Sequence, residues 1–179
     1  MSAPQCRDSA SDIVNVFISA LRQGYDPSSR CPPPEVDVVP AVRFFASDGG
    51  VPKSWVPFLG CESGPFLWVR VAMRYRARIK DFPAAFTGGQ TCADADVKRV
   101  LGVEIGVARC TEMEAEPDWD TIAREAEISL DDSWRLETVL CAAAARLRRD
   151  GYAVATDTIA PDGPDGGLIA WTGMAYVSF

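Results

Sequence analysis

Between Phe66 and Ile79 the chain alternates with a period of two. This pattern constrains the fold more than any other stretch. Leu67, Val69, Val71, Met73, Tyr75, Ala77 and Ile79 fall on one side of an extended segment, and Phe66, Trp68, Arg70, Ala72, Arg74, Arg76 and Arg78 on the other. Side chains of a strand alternate across the sheet, so one strand is predicted to carry Arg70, Arg74, Arg76 and Arg78 on a single face. A strand buried on both faces reads as continuously apolar. The arginine face must therefore meet water or a partner, and guanidinium groups suit interfaces because their planar fork pairs bidentately with carboxylates. Val97 to Cys110 alternates again, with Leu101, Val103, Ile105 and Val107 opposite Gly102, Glu104, Gly106 and Ala108. The small residues predict a close approach on that side, as of a helix.

The remaining elements follow from helical spacing and punctuation. Ile13, Phe17 and Leu21 recur four apart behind Ser11, which reads as an N-cap, and Gly24 stops a helix over 11–23. A short helix is predicted over 121–130. The strongest helix is predicted from Asp131-Asp132 to Arg149, with Leu136, Leu140, Ala143, Ala144 and Leu147 on one side and acids before bases, as the helix dipole prefers. Glu35 to Phe45 favours a strand, in which Pro40 marks an edge or a bulge. Two closing strands, about 152–158 and 168–178, are joined by the turn-rich Ala160–Gly167. The segment 25–34 ends in three prolines and reads as a stiff arm reaching toward a neighbour. Long loops occupy 51–65, with Trp55 and Phe58, and 80–96, with Phe86; large aromatics in loops pack down or meet a partner. This order predicts one α+β domain over 1–179. Its mostly antiparallel sheet has about four to five strands, an N-terminal helix, and a long helix before a C-terminal β-hairpin.

The chain contains no histidine, so Ser-His-Asp and Cys-His catalysis and histidine metal ligation have no residues to use. There is no P-loop lysine pattern and no strand-linked GxGxxG, and Gly60-Cys61-Glu62-Ser63-Gly64 places Glu62 where a nucleophile elbow needs serine. The expectation is a protein without enzymatic activity or cofactor. Cysteines at 6, 31, 61, 92, 110 and 141 match no CxxC or zinc spacing and are expected to be reduced, with Cys141 as a small buried hydrophobe. No apolar run is long enough for a membrane helix, and the N-terminus lacks a signal-peptide pattern, so maturation in the cytoplasm is expected.

Glu112, Glu114, Glu116, Asp118 and Asp120 form an acidic run that reads in two ways. Alternating carboxylates could bind a divalent cation and serve a metal-dependent enzyme. The other reading is a solvated acidic loop. Charge over the whole chain is uneven: residues 1–90 are net +2 and residues 91–179 net −9. An acidic balance disfavours binding to phosphates and suits docking onto a basic surface. In a head-to-tail arrangement, one subunit's Arg70, Arg74, Arg76 and Arg78 would meet the acidic run of the next. Trp55, Phe58 and Phe86 are the aromatic candidates for the same interface.

The stretch Pro161-Asp162-Gly163-Pro164-Asp165-Gly166-Gly167 before the final strand, and Cys61 leading into Leu67-Trp68-Val69-Arg70-Val71, carry a resemblance. Together with the order of elements, they make the chain resemble the tail terminator proteins of tailed bacteriophages, particularly those infecting actinobacteria. The resemblance implies a structural subunit of a homo-hexameric ring at the head–tail junction of the virion. Such a ring caps the tail tube and joins it to the head connector. It implies as partners other copies of the chain, the tail tube protein and head connector proteins. A neighbouring connector layer is the alternative position. DNA would pass an acidic lumen without specific binding, and no membrane is involved.

Overall fold

A computed structural model describes residues 8–46, 64–88, 95–111, 116, 118–165 and 167–179. The two alternating segments form strands, and the structure pairs them with each other. Strand β2 (Phe66–Arg78) runs antiparallel to β3 (Val97–Cys110), with Leu67 opposite Val107 and Val71 opposite Val103. The other edge of β3 takes β6 (Leu168–Ser178), again antiparallel. Strand β1 (Val42–Ala46) adds in parallel to β2. The far edge of β6 is lined by β4 (Ala153–Thr156) on its C-terminal half and β5 (Ala160–Asp165) on its N-terminal half. The result is a six-stranded, mostly antiparallel sheet with two helices, an α+β fold.

Helix α1 (Ala10–Gly24) and helix α2 (Trp119–Arg149) pack on one face of this sheet. Ile13, Phe17 and Leu21 of α1 and Leu136, Leu140 and Leu147 of α2 meet Leu67, Val69, Leu101, Val103, Ile105 and Val177. These side chains are fully or almost fully buried, and their burial is the main driving force for the fold. Gly24 lets the two helices approach: a Cβ there would sit 2.3 Å from Val139 Cγ2.

Several expectations are corrected, each for a local physical reason. The register of β2 against β3 shifts between Val71 and Met73, leaving Ala72 outside the regular pairing. Such a bulge inverts the facing of every residue beyond it. Val71 still packs toward the helices, whereas Met73 lies across Gly102 on the helix-free face. Arg70 therefore stays on the helix-free face, while Arg74, Arg76 and Arg78 share the face of Leu101 and Arg99; the four arginines do not form one row. The glycines of β3 receive β2 side chains rather than a helix. A Cβ on Gly106 would meet the Trp68 ring at 2.1 Å.

The two helices expected over 121–130 and 131–149 are a single one of 31 residues. Asp131 and Asp132 lie inside it because each carboxylate has an arginine partner, so neither competes for the backbone. Helix α1 begins before Ser11: Ser9 holds the N-cap position, and the Ala10 N–H donates to Asp8 Oδ1 at 3.1 Å. The strand expected from Glu35 starts only at Val42, beyond Pro40. Part of the supposed turn at 160–167 is β5, a sixth strand. Cys141 is exposed on α2, and Cys110 is disulfide-bonded to a partner outside the described residues, so the thiols are not all reduced.

Candidate interface

Arg70 and Glu104 stand directly opposite each other on β2 and β3. Arg70 Nε donates to Glu104 Oε1 at 3.0 Å, Nη2 donates to Oε2, and Trp68 Nε1 donates to Oε1 at 3.0 Å. Both charged side chains are largely buried. Arg70 is thus a cross-strand tie within the chain, not an exposed group.

The other three arginines lie where β2 and β3 run on as a two-stranded hairpin. Pairing of β6 with β3 ends at Val100–Ser178, while β2 and β3 continue to Arg78–Val97. Arg74 pairs with Asp8, just ahead of α1. Arg76 is directly opposite Arg99. Arg78 lies over the Phe86 ring at 4.6 Å, with its Nε buried and without a hydrogen-bond partner, and Arg99 lies over Phe179 at 5.0 Å. The Phe86 N–H donates to Arg76 O at 2.6 Å, so Phe86 belongs to the hairpin as the stacking surface under Arg78. Among the described residues, only Arg74 of these four arginines has an ion-pair partner. Like charges directly opposite across strands repel, so the pair Arg76–Arg99 favours an anionic neighbour.

The acidic run is only partly described. Glu112 and Glu114 lie outside the described residues, as do Trp55 and Phe58; Glu116 and Asp120 are exposed. Asp118 is the N-cap of α2: its carboxylate accepts from Thr121 Oγ1 at 2.7 Å and the Asp120 N–H at 3.1 Å. Those bonds, Thr121 first, hold its pKa below the ordinary 3.8. A depressed carboxylate stabilises the fold above the unfolded pKa and loses that contribution as pH falls through its folded value. Protection of the Asp120 and Thr121 amides, measured against their intrinsic exchange rate at each pH, is therefore expected to fall as the pH drops below 3.8. Asp118→Asn, which keeps the cap but does not titrate there, should abolish this acid dependence. Among the described residues, no group of three or more Asp, Glu or Cys side chains is placed to hold a metal ion.

The proline segment is not a free arm. Arg135, from α2, donates to the carbonyl oxygens of Gly24 (3.3 Å), Cys31 (2.8 Å) and Pro32 (3.0 Å), and to Asp131 at 2.6 Å. Arg109 of β3 donates to Pro34 O at 3.2 Å and pairs with Asp132. Tyr25 is fully buried, and its hydroxyl donates to Asp132 O at 3.4 Å. Burial raises the pKa of Asp132 above 3.8 despite Arg109, and burial also pushes the Tyr25 phenol well above 10.0. The segment expected to reach a neighbour is clamped onto the chain's own long helix. Of the residues that do this, Arg135 was legible through its i, i+4 spacing from Asp131. Arg109 and Tyr25 carried no such signal.

The fold is a small α+β unit in which the described buried charges are satisfied by ion pairs and hydrogen bonds within the chain. Among the described residues, no helix is long and apolar enough to cross a membrane. No protein-family model matches the chain, and no curated protein matches its sequence.

Proposed function

We propose that this chain is a structural virion protein, a tail terminator ring subunit that caps the tail tube and joins it to the head connector. Its sequence resemblance suggests the role. The observation that carries the reading is the hairpin end, which brings Arg74, Arg76, Arg78 and Arg99 together, with Asp8 ion-paired to Arg74. Such a surface fits assembly by charge complementarity with acidic protein surfaces, and the chain's net charge of −7 supplies acids for it. The expected partners are further copies of the chain, the tail tube protein and a head connector protein, at the head–tail junction.

The test combines the purified chain with polymerising tail tube protein. Electron microscopy should show ring-shaped caps on tubes, and sedimentation should show a closed oligomer. A chain that stays monomeric at every concentration and leaves tube growth unchanged overturns the reading.

A further inference from the structure

The β2–β3 hairpin has two unlike faces. On the side of the helices stand Arg76 and Arg99, opposite each other; Arg99 stacks on Phe179 and adds to Arg74 in lowering the pKa of nearby Asp8, but among the described residues neither Arg76 nor Arg99 forms an ion pair. On the helix-free side, a groove of about 640 Å3 lies between the hairpin and β4. Its walls include Met73, Tyr75, Tyr176, Asp81 and Asp157. Tyr75 and Tyr176 meet edge to face with centroids 6.3 Å apart, and the Tyr75 hydroxyl donates to Pro83 O at 2.6 Å, which fixes its ring. Asp157 is anchored by its N–H on Met174 O at 2.9 Å. Aromatic faces combined with two carboxylates form a receptor for guanidinium, which stacks on rings and pairs with carboxylates at once. The groove's own negative charge disfavours phosphate.

We infer that the two faces of this hairpin pair with each other between copies. The Arg76–Arg99 face of one copy seats on the Tyr75–Tyr176–Asp81–Asp157 groove of the next. The argument is charge complementarity: one chain carries both a cationic surface, where two arginines face each other, and an aromatic–carboxylate groove. Because the two surfaces differ, the contact is head-to-tail and propagates, closing into a ring when the rotation between copies allows. The inference rests on the ring reading above and specifies the surfaces that build the ring.

Two charge-reversed variants test it by sedimentation velocity: Arg76→Glu with Arg99→Glu, and Asp81→Arg with Asp157→Arg. Each alone should self-associate at least tenfold more weakly than the native chain. An equimolar mixture should regain association, because every mixed contact is again complementary. If circular dichroism shows a reversed variant unfolded, Arg76→Gln with Arg99→Gln takes its place, with the same tenfold loss expected. Native assembly together with unimpaired variants, or a mixture that fails to recover, overturns this pairing and leaves the ring reading standing. A native chain that never assembles overturns both. Retention of duplex DNA at physiological salt that Arg76→Glu/Arg99→Glu abolishes would assign the arginine face to phosphate and overturn the pairing as well.

Discussion

Replacing Asp132 with alanine is expected to destabilise the protein by about 3–5 kcal/mol, because it strands a buried arginine. Arg109 is only 11% exposed at its side chain and has Asp132, 3% exposed, as its ion-pair partner. The raised pKa of Asp132 shows that burial outweighs the attraction of Arg109 at this carboxyl. Desolvation offsets much of the attraction within a buried ion pair, yet losing one member leaves the other's desolvation uncompensated. For a chain of this size the loss corresponds to a fall in Tm of roughly 6–20 °C. Asp132→Asn, which keeps an acceptor for Arg109, should fall between the native chain and the alanine variant. The double change Asp132→Leu with Arg109→Met should cost less than Asp132→Ala alone, since no charge is left buried. Urea denaturation of the four proteins measures this, and a double variant worse than the single one would refute the account.

Arg135→Ala should cost a comparable amount, about 3–5 kcal/mol, and its effect should be concentrated in one place. The guanidinium bridges α2 to three carbonyls at the end of α1 and in the proline segment, with its side chain 7% exposed. Removing it leaves those carbonyls without their donor and frees residues 25–34 from α2. Limited proteolysis should then cut within 25–34 much faster than in the native chain, while α2 keeps its protection. Arg135→Lys should rescue only partly, because an ammonium cannot span the same acceptors as a planar fork. Unchanged cleavage in the alanine variant would show that the segment is held by other contacts.

These two arginines also show which features were legible before the structure. The alternation of 66–79 and 97–110 predicted two long strands, and the spacing of Ile13, Phe17 and Leu21 and of Leu136, Leu140 and Leu147 predicted the faces that enter the core. Those signals are local: the period of the pattern matches that of the element. The arginine face failed as a single surface because a one-residue bulge near Ala72 has no sequence mark, yet reverses the facing of everything after it. The break at Asp131-Asp132 failed because N-cap chemistry and buried ion pairing use the same residue types. For Asp132 the deciding partner is Arg109, brought in from a strand 23 positions away.

The sequence by itself determined the α+β class, the two long alternating strands and the core faces of both helices. All of these depend on residues within a few positions of one another. The tertiary structure alone decided where each charge ends up. It buried Arg70 against Glu104, clamped the proline segment through Arg109 and Arg135, and left Arg76 and Arg99 facing each other at the hairpin end. The physical reason is that a charge is satisfied by whatever the fold brings within hydrogen-bond reach, and that partner can come from anywhere in the chain.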